Sequence, residues 1–145
     1  MSESNSQPNC EEYLNGWKRA KADLINYQKD EVKRFEEVVK FSNSSIVRDI
    51  INVLDSFDLA IAALEKQGPV EKGIYMIRTQ LEDALKKHGL ERLIISIGQA
   101  FDTNLHESVG EIESKNPAGA IAEEVARGYL LNGRIIRPAR VKLSK

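Results

Sequence analysis

The sequence predicts an α+β protein in which a long, dimerising, coiled-coil-like N-terminal helix leads through shorter bundle helices into a small C-terminal all-β domain. Three observations predict this fold. Residues 10–45 contain no proline and one glycine, residues 46–89 carry a wider apolar pattern with helical spacing, and residues 90–145 show the alternation typical of strands. The polar residues 1–9, which include Pro8, are expected to form a short flexible leader.

Composition limits the classes of function without selecting one. The 145-residue chain carries 21 basic and 22 acidic residues, so it offers no uniformly basic surface for nucleic acid. Its single cysteine, Cys10, has no second cysteine for an internal disulfide or a paired metal site. No segment approaches the roughly 18 apolar residues that span a bilayer, and the N-terminus lacks a targeting pattern. We therefore expect a cytoplasmic protein that does not bind a membrane.

The long helix carries a narrow apolar seam. Its positions first step by four and three residues, as in a heptad, and then use extra steps of four that pass through Glu31 and Ser42 to Ile46. The average step is about 3.67 residues, which predicts a nearly straight or slightly right-handed helix pair that these two polar residues weaken. The apolar seam residues proposed for dimerisation are Tyr13, Trp17, Ala20, Leu24, Tyr27 and Phe35.

Such a seam predicts a homodimer. A narrow stripe with charged flanks cannot be buried within so small a chain, whereas a second copy can cover it. The alternative is a solitary solvated helix. If the helices pair, a parallel arrangement is expected, because the bundle and β-domains should gather at one end.

Residues 46–89 are predicted to contain two bundle helices. The tripeptide Gln67-Gly68-Pro69 separates them, and the second helix, over residues 70–88, ends with a cationic turn followed by Gly89. Two such helices from each of two chains would form a four-helix bundle. The residues expected at that interface are Ile50, Phe57, Ile77 and Leu81.

The last third of the chain is predicted to be a compact β-domain. The dipeptide Asn132-Gly133 between two apolar runs is a strong signal for a type I′ hairpin. Pro138 marks an edge or bulge. The predicted strands cover residues 92–95, 108–113, 121–127, 129–131, 134–137 and 139–143.

Few residues indicate chemistry. The sequence has no Walker loop, glycine-rich phosphate loop or HExxH motif, so no cofactor is expected. The densest polar cluster, in residues 101–107, places His106 near Asp102 and beside Glu107. These groups could serve acid–base catalysis or bind a metal, but no third convergent group is apparent elsewhere. We favour a structured loop or recognition surface, and we expect that the protein is not an enzyme.

Seven segments, in this order, resemble the GrpE family of nucleotide exchange factors of DnaK-type chaperones. Each segment alone would be a weak signal, but together they fit the architecture already predicted from periodicity. They are residues 22–27 (ADLINY), 53–60 (VLDSFDLA), 73–77 (GIYMI), 87–90 (KHGL), 101–107 (FDTNLHE), 128–134 (GYLLNGR) and 136–139 (IRPA).

The resemblance implies a homodimer that binds the nucleotide-binding domain of a DnaK-type chaperone, opens its cleft and promotes ADP release, alongside a DnaJ-type co-chaperone in the heat-shock response. It implies that one protomer makes most of the contact. The implied patch in the β-domain consists of Phe101, Val125 and Leu143, near Thr103, although Phe101 could equally belong to the core. It also implies possible thermosensing by the long helices.

This sequence departs from the family pattern at several polar contacts. In the segment Gln28-Lys29-Asp30, only Lys29 remains as a possible helix contact with the chaperone. A basic residue common in the bundle helix is replaced by Leu59. The alternatives to an exchange factor are a dimeric coiled-coil scaffold or adaptor without exchange activity and, far behind, an enzyme that uses residues of the 101–107 cluster.

Overall fold

The computed structural model describes residues 9–145, and the chain divides into two compact units between Lys40 and Phe41. The first eight residues of the predicted leader lie outside the described part. The predicted α+β class is confirmed, with helices followed by six strands in two sheets. Within residues 9–145, no helix is long and apolar enough to cross a membrane.

Helix α1 (Cys10–Phe41) begins with a capping box, in which side chains satisfy backbone groups left free at the helix start. The Asn9 side chain accepts a hydrogen bond from the Glu12 backbone N–H at 2.9 Å, and the Glu12 carboxylate accepts one from the Asn9 N–H at 3.1 Å. At 1.5 Å per residue, its 32 residues span about 48 Å.

The helix ends four residues earlier than the sequence suggested. A turn at Ser42-Asn43 separates α1 from α2 (Ser44–Glu65), whose first turn includes a hydrogen bond from the Val47 N–H to the Asn43 carbonyl at 2.9 Å. Short polar side chains compete with helical backbone bonding, and this run of them therefore favours a break.

Helix α3 (Lys72–Lys87) follows a turn in which Gly68 has a φ of 145°. Its predicted bounds were too wide by two residues at the start and by one at the end. Gly89, with a φ of 93°, ends it as expected, because a residue in the left-handed region closes a helix most readily as glycine. The last turn is basic, with Lys86 and Lys87.

The strands are β1 (Leu90–Leu93), β2 (His106–Ile112), β3 (Ile121–Ala126), β4 (Gly128–Leu131), β5 (Arg134–Arg137) and β6 (Ala139–Ser144). One sheet has the order β1-β4-β5 and is antiparallel, and the other has the order β2-β6-β3. The β4–β5 hairpin is confirmed, with positive φ angles of 47° at Asn132 and 83° at Gly133. In the second sheet, β6 runs parallel to β2 and antiparallel to β3, a pairing that the sequence pattern did not predict.

The chain crosses between the two sheets three times, through residues 94–105 between β1 and β2, at Arg127 between β3 and β4 and at Pro138 between β5 and β6. The last two crossings are single residues. The two single-residue crossings lie against each other, because a Cβ atom placed on Gly128 would be 2.6 Å from the backbone nitrogen of Ala139. Only glycine allows this approach without a shift of the backbone.

Two apolar clusters hold together the second unit, residues 41–145. The first joins the helices to the sheet β1-β4-β5 and consists of Val47, Ile51, Leu54, Leu85, Leu90, Tyr129 and Leu131, with Phe41, Ile50, Leu81 and Ile136 packed against it. The second lies within the β-domain and consists of Ile121, Ala139 and Val141, with Leu93, Ile95, Phe101 and Leu143 packed against it. We call them core one and core two.

We expect Leu54→Ala to lower the free energy of unfolding by about 2–5 kcal/mol, because it leaves a cavity in the completely buried centre of core one. Leu59→Ala is the matched control on the same helix, since Leu59 is 74% exposed and its truncation should cost no more than about 0.5 kcal/mol. Urea denaturation followed by circular dichroism measures both changes. Equal losses in the two variants would contradict this account of the core.

Candidate functional site

The loop from Phe101 to β2 is organised by Asp102 and His106. The Asp102 carbonyl accepts a hydrogen bond from the His106 N–H at 2.8 Å, and the Asp102 carboxylate accepts one from the Asn104 N–H at 2.9 Å. The His106 side chain is buried, and its Nδ1 accepts a hydrogen bond from the Asp102 N–H at 3.0 Å. The histidine therefore holds the loop closed through its ring nitrogen.

The polar residues of this loop bond to neighbouring groups of the protein. The second ring nitrogen of His106 lies 3.4 Å from the amide nitrogen of Gln99, so both nitrogens face protein groups. The Glu107 carboxylate instead lies 3.7 Å from the Nε atom of Arg140 on the neighbouring strand. Within residues 9–145, no cluster of three or more histidine, cysteine or acidic residues could hold a metal ion. The arrangement is that of the structured loop favoured by the sequence.

Phe101 has a mixed environment. Its ring is partly buried and packs against core two, where Leu143 joins it, and it also lies 5.9 Å from the His106 ring, at an interplanar angle of 42°. Thr103 is exposed at the tip of the same loop. Phe101 is thus packed on one side and accessible on the other, so its predicted role in binding stays a prediction.

Val125 belongs to a different surface. It is 47% exposed and lines an open groove of about 580 Å³ between α2 and β3. Leu59 and Ala62 contribute apolar surface from α2, and Arg92 and Arg140 contribute charge from the β-domain. The structure therefore brings Phe101 and Leu143 together at core two, whereas Val125 lies beside α2. The groove escaped sequence reasoning because its two walls are far apart in the chain.

Ion pairs lie along this groove, which Asp55, Asp58 and Arg127 help to line. Arg78 of α3 donates to both carboxylate oxygens of Asp58, at 2.9 and 3.3 Å, and also pairs with Glu82. Arg127 lies 3.8 Å from Asp58, and Arg137 forms a two-point pair with Asp55. Helices and β-domain are thus joined by charged groups at the edge of core one.

Burial and the surrounding charges shift the pKa values of Arg78 and Tyr129. Burial lowers the pKa of Arg78, but its hydrogen bonds and charge attraction to Asp58, together with the charge of Glu82, outweigh burial and leave the pKa above its ordinary value. Burial raises the pKa of the Tyr129 hydroxyl, while the charge of Arg127 lowers it and that of Glu82 raises it by smaller amounts. Arg78 therefore stays cationic and Tyr129 stays neutral at physiological pH.

None of the residues of helix α1 is buried, and its apolar side chains up to residue 40 are exposed. Trp17 is 57% exposed and Phe35 is 67% exposed. The other predicted seam residues, Tyr13, Ala20, Leu24 and Tyr27, and the predicted contact Lys29 are also exposed.

Sequence reasoning missed a second line of exposed apolar residues on α1. Leu14, Ile25 and Val32, followed by Val39, each come directly after a seam position. The signal was their spacing of 11, 7 and 7 residues, which keeps them on one helix face beside the seam. The apolar face is therefore wider than the single line, and Val32 adds apolar surface where Glu31 interrupts that line.

The predicted bundle residues are divided between core and surface. Ile50 and Leu81 pack against core one, and Phe57 is partly buried. Ile77 is exposed on α3. Only part of the predicted set is thus accessible to a second copy.

The GrpE family profile matches residues 2–145 of this chain. The chain is 37% identical over 139 residues to Protein GrpE of Bacillus subtilis (strain 168), with 93% of this chain and 74% of that protein covered. It is 35% identical over 138 residues to Protein GrpE of Alkaliphilus oremlandii (strain OhILAs), with 93% and 73% covered. It is 37% identical over 131 residues to Protein GrpE of Bacillus velezensis, with 88% and 68% covered.

The profile match includes both the helices and all six strands, and the related proteins align with most of the chain. The chain therefore belongs to the GrpE family, the nucleotide exchange factors that assist DnaK-type chaperones in the heat-shock response.

Proposed function

We propose that this protein is a homodimeric adenine-nucleotide exchange factor that binds the nucleotide-binding domain of a DnaK-type chaperone, opens its cleft and promotes ADP release. The observation that carries the proposal is the family match over residues 2–145, which spans the helices and the β-domain together. The exposed surfaces of both parts support it. A cytoplasmic location and work alongside a DnaJ-type co-chaperone are parts of the same proposal.

The proposed mechanism is differential binding. A factor that binds the open cleft of the chaperone more tightly than the closed, ADP-bound cleft shifts the population toward the open state. The coupling is reciprocal, so ATP binding to the chaperone weakens its affinity for the factor. This mechanism needs neither catalytic residues nor a cofactor in the factor itself.

We assign the chaperone contact mainly to the β-domain of one protomer. Phe101 and Leu143 offer partly exposed apolar surface at the edge of core two, and Thr103 lies exposed in the same loop. Val125 offers a second apolar contact at the groove beside α2. Lys29, exposed on α1, would add a polar contact.

The dimer would form through surfaces that the single chain leaves uncovered. On α1, the seam and the second apolar line together give a face that only another apolar surface can cover. On α2, Ile46, Val53 and Leu64 are exposed at spacings of 7 and 11 residues, which keeps them on one face. With Ile77 of α3, this face supports a four-helix bundle formed by two copies. A coiled-coil scaffold without exchange activity would use the same faces.

The exchange reaction itself separates these two functions. We expect that adding the protein to a DnaK-type chaperone loaded with fluorescent ADP will accelerate ADP release by orders of magnitude, because binding favours the open cleft. Stopped-flow fluorescence measures the release rate, with excess unlabelled nucleotide present to prevent rebinding. Release at the unassisted rate would reject the exchange function and favour the scaffold.

We expect Phe101→Ala to reduce the acceleration of ADP release by about tenfold or more, because loss of a central aromatic contact typically costs at least roughly 1.4–2 kcal/mol of binding. Ile94→Ala is the matched control, since Ile94 is an exposed apolar residue of the same domain outside the predicted patch. The dimer should persist in analytical ultracentrifugation. If Phe101→Ala unfolds the domain, and Phe101→Leu restores both the fold and full exchange, Phe101 is a core residue and the assignment fails.

We expect heating to cause a reversible loss of helicity below the unfolding of the β-domain, with a midpoint that rises with protein concentration. The reason is that α1 has no buried residue of its own, so its stability depends on pairing. Glu31→Leu, on the seam, should raise this midpoint, whereas Glu37→Leu, off the seam, should not. Circular dichroism at several concentrations measures both. A single concerted transition would contradict thermosensing, and a midpoint independent of concentration would contradict pairing.

A further inference from the structure

We propose that Asp55 and Arg137 are positioning residues, whose ion pair fixes the sheet β2-β6-β3 against helix α2 and so sets the geometry in which the β-domain meets its partner. This inference rests on the proposed exchange function for its consequence. Its structural part, the orientation of a sheet relative to a helix within one protomer, is measurable without any chaperone.

The Arg137 guanidinium contacts three different parts of the fold. Its Nε and Nη2 atoms donate to the backbone carbonyl of Arg127 at 3.0 and 2.6 Å. Its Nη1 and Nη2 atoms donate to the two carboxylate oxygens of Asp55, the Nη2 bond measuring 3.0 Å. It also lies over the Tyr129 ring, 5.4 Å from the centroid. One side chain thus joins α2, the segment before β4 and the buried tyrosine of core one.

The positions of these contacts in the chain give them their importance. Arg127 lies at the crossing from β3 to β4, and Arg137 ends β5 directly before the crossing at Pro138. Gly128 and Ala139 hold the two crossings in close contact. A guanidinium that binds the crossing at Arg127, adjoins the crossing at Pro138 and pairs with α2 therefore holds in place two of the three segments that connect the sheets.

Within the described residues, no side chain of α2 packs directly in core two. Core one joins the helices to the sheet β1-β4-β5, whereas all residues of core two come from the β-domain. The second sheet carries Leu143 and Val125, and Phe101 packs against it. Core two reaches the first sheet through Leu93 of β1. The orientation of the second sheet toward α2 therefore depends on that indirect contact, on the crossings and on the polar groups around them.

A second pair reinforces the first but is weaker. Arg127 lies 3.8 Å from Asp58, whose carboxylate is already bonded to Arg78. In contrast, the Asp55–Arg137 pair has the parallel two-point geometry that gives an arginine–carboxylate contact its directional specificity. Its side chains are partly exposed, at 18% for Arg137 and 32% for Asp55. Water can therefore solvate the groups when the pair is broken, so we expect the fold to survive.

The test uses the full chain with three variants. Asp55→Asn removes the charge and turns amide donors toward a guanidinium, and Arg137→Lys keeps the charge but loses the fork that reaches three partners. Asp55→Glu keeps the carboxylate and serves as the conservative rescue. Glu123→Gln is the matched control, because it breaks an exposed cross-strand contact with Lys142 at 3.6 Å in the same sheet.

The first measurement is the distance between two nitroxide labels. Position 63 is exposed on α2, and position 115 is exposed in the segment between β2 and β3. Pulsed electron paramagnetic resonance would be recorded in a Cys10→Ser background, with labelled chains diluted into unlabelled ones. We expect Asp55→Asn and Arg137→Lys to broaden or shift the distance distribution, Asp55→Glu to restore most of it, and Glu123→Gln to leave it unchanged. Unchanged distributions in both broken-pair variants would overturn the proposal.

The second measurement is the acceleration of ADP release from the chaperone. We expect a loss of about tenfold in Asp55→Asn and Arg137→Lys, equivalent to roughly 1.4 kcal/mol, with the thermal transition of the β-domain retained. If the acceleration of ADP release falls only in proportion to the fraction of unfolded protein, the proposed effect of the ion pair on exchange is overturned. If the wild-type chain itself does not accelerate release, the proposed function fails, and the distance distributions alone then confirm or reject the positioning role.

Discussion

The packing of α2 and α3 against the sheet β1-β4-β5 is the interaction on which the rest of the second unit depends. Leu54, Ile51 and Tyr129 lie at its centre and are almost completely removed from solvent. Burial of aliphatic side chains such as Leu54 and Ile51 contributes about 1.5–3 kcal/mol each, which makes this cluster the main source of stability. Because β1, β4 and β5 belong to this sheet, core one also fixes one end of each of the three crossings between the sheets.

The polar groups around core one work under a different constraint. A charged pair near an apolar core must recover the cost of leaving water, and it does so when the geometry is good and the remaining donors are satisfied. Arg137 meets this condition, since its donors reach a carboxylate and a backbone carbonyl. Such a contact adds less stability than apolar packing, but it has a preferred direction. The core thus supplies most of the stability, and the ion pairs supply orientation.

Local signals decided how much of this structure the sequence could predict. The long helix followed from the lack of breakers and the hairpin from Asn132-Gly133, although the polar run after α1 fitted a late cap as well as a turn, so its end was placed four residues too late. Distant pairings have no such signal. The alternation of β2 does not name β6 as its partner, and Asp55 and Arg137, 82 residues apart, each look like ordinary surface charges. Phe101 stayed ambiguous because a partly buried aromatic at the edge of a core satisfies both interpretations.

A rigid arrangement matters for the proposed mechanism because binding energy must reach the cleft of the chaperone. Moving a two-state equilibrium from 1:99 to 99:1 requires about 5.5 kcal/mol of difference in affinity between the two states. A β-domain that could reorient on α2 would follow the chaperone into its closed state and contact both states equally. A ligand that binds both states equally shifts nothing, however tightly it binds. For the proposed exchange function, the directional contacts at the crossings are therefore as relevant as the apolar surface that we assign to the chaperone contact.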